Sequence, residues 1–135
     1  MPSPDPVGGS LQGLRVFVVE DETLIALMLE DLLAAFGCGV VGPLSRLAAA
    51  QREARRQEFD CAILDVNING EPIHSVAEIL AERSIPFAFV TGYDNVGAHD
   101  RFPGRPVLRK PFRAEELHAV LAKLAARGGP PAPPA

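Results

Sequence analysis

The chain has 135 residues, 47% apolar and 22% charged, with a formal net charge of −4, the size and balance of one domain with a proper hydrophobic core. Its thirteen Lys and Arg are scattered, densest at Arg55-Arg56, which argues against a nucleic-acid surface. No apolar stretch approaches the roughly 20 residues of a membrane span. The start, MPSPDPVGGS, has neither the basic opening nor the apolar centre of a secretory signal, so a cytoplasmic location is expected, and Cys38 and Cys61 read as small core residues rather than a disulfide.

Residues 1–12 are rich in Pro, Gly and Ser, and residues 128–135 are Gly, Pro and Ala alone. Both read as disordered tails flanking one domain at 13–127. Leu14 to Val19 is the first expected strand. A helix over 22–36 follows, with Ile25, Met28, Leu29, Leu32, Leu33 and Phe36 at helical spacing and Gly37 as its stop. Gly39 to Gly42 is a short second strand. A helix from Leu44 to Glu58 should turn Leu44, Leu47, Ala48 and Ala54 inward. Cys61-Ala62-Ile63-Leu64-Asp65 is a third strand whose apolar run suits burial on both faces. Pro72 is expected to begin the next helix, with Val76, Ile79 and Leu80 inward, and Pro86 bars its continuation. Phe87 to Val90 and Pro106 to Arg109 are the fourth and fifth strands. The last helix runs from Ala114 to Arg127 on Leu117, Val120, Leu121 and Leu124.

Strands and helices in alternation call for an α/β fold, a doubly wound, mostly parallel five-stranded sheet. The weak interval is 93–105, where Gly97, Pro103 and Gly104 break a polar segment, so a short or irregular fourth helix is expected there.

Ligands in such folds bind beyond the carboxyl ends of the strands. Those ends carry Glu20-Asp21, Asp65, Thr91 and Lys110-Pro111. Each has an ordinary reading alone: acids in the first turn of a helix, a turn at Asn69-Gly70, a solvated lysine. Together they say more. Three carboxylates on neighbouring strand ends repel one another and need a cation, and an all-oxygen set suits Mg²⁺. Lys110 and Thr91 offer a charge and a hydroxyl to a phosphoryl group, and a carboxylate there can act as nucleophile.

At this point the chain resembles the receiver domains of two-component response regulators. The resemblance spans about 14–127 and rests on "VFVVEDE", "ILDVNING", "FVTGYD" and "VLRKPF", in that order. It implies a flavodoxin-like receiver fold with strand order 2-1-3-4-5. It further implies that Asp65 is the phosphoacceptor, charged by a phosphohistidine on a histidine kinase or histidine phosphotransfer protein. Asp21, Asp65 and the Asn67 backbone carbonyl would hold Mg²⁺, with Glu20 contacting it directly or through water. Thr91 would follow the phosphoryl group and Lys110 would pair with it. A cis Lys110-Pro111 bond is also implied.

One departure concerns the fifth strand, where receivers usually carry an aromatic residue three positions before the lysine; here that position is Val107. "PFAFVTGYD" is similar to the FATGUY-type receivers, with Val90 where that name has alanine. Tyr93 is then a candidate substitute switch residue, and a rim residue is the alternative reading.

No output domain is expected after the last helix, so the expected role is a stand-alone signalling receiver that acts through a downstream protein, without direct nucleic-acid or membrane contact; a receiver segment cut from a larger hybrid kinase is a further reading. Such a domain turns over its own side chain and is not a conventional enzyme. The competing reading is an interaction module that modulates a kinase or regulator, with phosphorylation incidental. His74, His99 and His118 are too dispersed for a transition-metal site.

Overall fold

A computed structural model of the chain describes residues 11–92 and 101–128. Strands β1 (Arg15–Val19), β2 (Gly39–Leu44), β3 (Cys61–Asp65), β6 (Phe87–Thr91) and β7 (Val107–Arg109) form one parallel sheet in the order β2-β1-β3-β6-β7. A small antiparallel pair, β4 (Asn67–Ile68) and β5 (Glu71–Pro72), lies outside it. With that pair set aside, the order is the expected 2-1-3-4-5. The described helices are α1 (Thr23–Ala35), α2 (Leu47–Arg56), α3 (His74–Glu82) and α4 (Ala114–Gly128).

Alternation along each strand sorts side chains to the two faces of the sheet. Phe17, Val19, Ala62, Leu64, Phe87 and Phe89 face one side, where α2 contributes Ala50 and Ala54 and α3 contributes Val76, Ala77 and Leu80. Val16, Val18, Cys61, Ile63, Ala88 and Val90 face the other, against Leu29 and Leu33 of α1 and Leu117, Leu121 and Leu124 of α4. Every residue of β3 and β6 is buried. This explains the unbroken apolar runs: the two strands are covered by helices on both faces. Cys38 and Cys61 are buried free thiols in the second layer, as expected.

Three boundaries differ from expectation. Strand β2 continues past Gly42 through a cis Gly42-Pro43 bond to Leu44, with a register shift against β1. As β2 is an edge strand, Pro43 interrupts no inner ladder. Gly42 sits at φ 103, and a Cβ there would lie 2.8 Å from the Val18 carbonyl oxygen, so glycine is required. Helix α2 therefore starts at Leu47 rather than Leu44; Leu44, Leu47 and Ala54 pack on the core as expected, Ala50 joins them, and Ala48 is exposed instead.

The third difference is at Pro72, which does not open a helix. It pairs with Asn67 in the hairpin, and α3 starts at His74. Asn69 and Gly70 occupy the turn at φ 53 and 86, the left-handed pair that a two-residue hairpin loop needs. The expected fourth helix falls largely on residues 93–100, outside the described residues, as do Tyr93 and His99. Residues 101–104 lead into β7 as turn structure.

Candidate active site

Backbone bonds fix the strand ends that carry the polar residues. The Glu20 N–H donates to the Leu44 carbonyl at 2.9 Å, Val66 N–H to Val90 at 3.0 Å, and Lys110 N–H to Thr91 at 2.8 Å. Glu20, Asp65 and Thr91 are the buried polar residues of the described chain. Asp65 lines a cleft of about 590 Å³ together with Asp21, Glu22, Ile25, Asn67, Gly92, Lys110 and Pro111. The Lys110-Pro111 bond is cis, as the resemblance implied.

Lys110 organises the cleft. Its Nζ donates to Glu20 Oε2 at 3.3 Å, to Asp65 Oδ2 at 3.3 Å and to Glu22 Oε1 at 2.6 Å. The other Asp65 oxygen accepts the Asn67 N–H at 3.3 Å. Thr91 Oγ1 donates to the Gly92 carbonyl at 2.8 Å. Glu20, Asp21 and Asp65 each place a carboxylate oxygen within 4.8 Å of the others. The expected acids, hydroxyl and lysine thus come to one place, with Asn67 at the rim.

Two contacts went unread in the sequence. Glu22, an ordinary acid in the sequence, is the nearest partner of Lys110. The Asn69 N–H donates to Asp21 Oδ2 at 2.8 Å, and Asn69 Nδ2 donates to the Ser45 carbonyl at 3.0 Å. The tip of the β4–β5 hairpin thereby holds one acid of the cluster.

The charges are unbalanced. Burial first, then the Asp65 carboxyl beside it, pushes Glu20 up from 4.5 to about 8. Burial also raises Asp65, though the Glu20 carboxyl and Lys110 pull it back. Burial opposes the charge of Lys110, but its bond to Glu22 and the charges of Asp65 and Glu20 outweigh that and hold it above the ordinary lysine value. One lysine does not neutralise three inward acids, and Glu20 Oε1 is buried with no hydrogen-bond partner. An orphaned carboxylate oxygen inside an all-oxygen cluster is what a hard divalent cation fits.

Comparison with known proteins identifies the family. Residues 16–122 match the response regulator receiver domain family. The chain belongs to that family. The resemblance read from the four motifs is borne out, and two-component signalling is the setting of the domain. The receiver is 42% identical to SdrG from Sphingomonas melonis Fr1, covering 86% of this chain and 96% of that one at a TM-score of 0.73. It is 25% identical over 113 residues to the phyllosphere-induced regulator PhyR of Methylorubrum extorquens. That match takes in 81% of this chain but only 42% of PhyR, so the receiver spans less than half the length of that relative. The receiver domain of the Pseudomonas aeruginosa sensor histidine kinase PA1611, solved with magnesium in its active-site cleft, shares the fold. Its TM-score is 0.74 at 23% identity, over 84% of this chain and 98% of that one. Among the described residues no helix is long and apolar enough to cross a membrane.

Proposed function

We propose that this receiver accepts a phosphoryl group on Asp65 and passes the signal on through protein contacts. The observation that carries the reading is the convergence on Asp65: two further carboxylates within 4.8 Å and the Lys110 amine at 3.3 Å. An Asp65 oxygen attacks the phosphorus of a phosphohistidine. The new O–P bond forms as the P–N bond breaks, and the imidazole leaves with the bonding electron pair.

Glu20, Asp21 and Asp65, with the Asn67 carbonyl, are the residues to hold Mg²⁺. Bound there, the ion would offset the acids and the charge of the incoming phosphoryl oxygens. Lys110, already bonded to Asp65, turns its amine to the phosphoryl oxygens, and Thr91 offers its hydroxyl to the same group. The fixed strand ends align donor and acceptor, which is most of what phosphoryl transfer asks of a protein.

A protein donor, a histidine kinase or histidine phosphotransfer protein, is supported by α1. Beside the cleft this helix leaves Leu24 79% and Leu27 50% exposed, apolar surface that suits a docked helix better than a small phosphodonor. The output is a downstream protein target.

The test is intact mass after incubation with Mg²⁺ and either acetyl phosphate or a phosphorylated histidine phosphotransfer domain. Wild type should gain one phosphoryl group and Asp65→Asn none. If wild type gains nothing from either donor, the phosphoacceptor reading falls and the interaction-module reading replaces it.

A further inference from the structure

At the opposite end of β6 from Thr91, a second cavity of about 380 Å³ opens between the end of α3, the approach to β7 and the last turn of α4. Its lining is Ala81, Ser84, Ile85, Pro86, Arg105 and Arg127. Ala81, Ile85 and Pro86 make apolar walls. Ser84, held at φ 60 where α3 terminates, brings a hydroxyl to the rim.

Among the described residues, the two arginines face this space without a counter-charge. Arg105 is half-buried, its guanidinium carbon 4.2 Å from the centroid of the Phe87 ring, so it is stacked and preorganised. Arg127 donates to the Gly104 carbonyl at 3.2 Å, which places its guanidinium on the same side of the cavity. No carboxylate lines the cavity, and neither arginine belongs to an ion pair among the described residues. Burial and the neighbouring charge of Arg127 both disfavour the charge on Arg105, which fits two cations held close together. A half-buried and an exposed guanidinium held side by side over apolar walls are relieved by an anion that brings a small apolar body with it.

We propose that this cavity binds a small organic anion, a carboxylate or phosphate monoester, through the guanidinium groups of Arg105 and Arg127. The volume falls in the range of about 300–1,000 Å³ typical of small-molecule sites. It also exceeds what a bare inorganic ion fills. Planar guanidinium donors match either anion in a bidentate way. The site lies at the far edge of the sheet from Asp65 and does not depend on phosphorylation there.

The test titrates full-length Asp65→Asn protein, without Mg²⁺, with phenyl phosphate, benzoate, inorganic phosphate and neutral benzyl alcohol. Backbone amide and arginine Nε resonances are followed by NMR. Phenyl phosphate or benzoate should give saturable shifts at Ser84, Phe87, Arg105 and Arg127, several-fold tighter than inorganic phosphate, with benzyl alcohol inert. Arg127→Gln, an exposed position, should weaken binding about tenfold, the loss of one charge-assisted contact, and Arg105→Gln at least as much. Because Arg105 also packs on Phe87, the Arg127 variant carries the test if Arg105→Gln does not fold. Absence of saturable shifts at these residues would overturn the proposal. So would equal binding of inorganic phosphate, or binding that both variants leave unchanged. A short acidic peptide that occupies the cavity more tightly than either aromatic acid would overturn the small-molecule assignment in favour of a partner's side chain.

Discussion

The two ends of β6 handle charge in opposite ways. At the carboxyl end Glu20, Asp65 and Glu22 are all tied to the single amine of Lys110. At the amino end Arg105 and Arg127 share a cavity with no acid in its lining among the described residues. The first end gathers more acids than its one lysine can balance. The second sets two cations side by side over an apolar wall. Burial makes the difference consequential, since Glu20 is 1% exposed whereas Arg127 reaches solvent. An imbalance therefore costs far more at the acid end, because charges held away from water are poorly screened.

The largest expected effect comes from removing the lysine. Lys110→Met leaves buried acids with no cation, and its stability without Mg²⁺ should fall by about 3 kcal/mol, with much of that recovered on adding Mg²⁺. Urea unfolding with and without EDTA measures this, and a wild-type value in EDTA would show that Lys110 does not hold the acids together.

Next is pH. Glu20 in the folded protein keeps its proton up to about 8, whereas the unfolded chain loses it near 4.5. Between those values the folded state binds the extra proton, so the contribution of Glu20 to stability without metal is fully present below the window. It should decline as pH rises through it, by at most about 1.4 kcal/mol per pH unit. Glu20→Gln should flatten the decline, and so should saturating Mg²⁺. A decline of the same steepness in Glu20→Gln would assign it to other groups.

Smaller still is Glu22→Gln. Glu22 is largely exposed, so stability should change by less than about 0.5 kcal/mol. Yet the substitution releases the nearest partner of Lys110. Binding of beryllofluoride with Mg²⁺ should tighten about threefold, the equivalent of one exposed ion pair. Isothermal titration would detect this, and unchanged or weaker binding would show that Glu22 does not compete for the amine.

The smallest effect belongs to the other end. Arg127→Ala loses one exposed bond to the Gly104 carbonyl and relieves the charge beside Arg105. Its unfolding free energy should stay within about 0.5 kcal/mol of wild type. A loss of several times that size would make Arg127 a structural clamp and remove the contrast between the two ends.

The same contrast explains what the sequence made legible. Strands β3 and β6 were readable because burial on both faces leaves unbroken apolar runs. The polar residues ending those runs stood out for the same reason. The hairpin was not readable as strands, because Asn67–Ile68 and Glu71–Pro72 are too short for any periodicity to register. Pro72 also imitates a helix start, and α2 begins three residues later than its pattern suggests because β2 passes through Pro43. Within the site, Asp65, Glu20, Asp21, Thr91 and Lys110 announced themselves at strand ends. The bonds from Asn69 to Asp21 and from Lys110 to Glu22 did not, because they join residues 48 and 88 positions apart. The Arg105–Arg127 cavity was invisible for a related reason: its two charges come from separate elements with ordinary local surroundings.

The central claim is that the acid network exists to present Asp65, and not a neighbouring carboxylate, to a phosphoryl donor. The most direct measurement is borohydride reduction of the phosphorylated protein followed by peptide mass mapping, since an aspartyl phosphate is reduced to homoserine. The account predicts homoserine at position 65 alone, dependent on Mg²⁺ and absent without the donor. Homoserine at Asp21 or Asp60, or none in protein that carries phosphoryl mass, would contradict it.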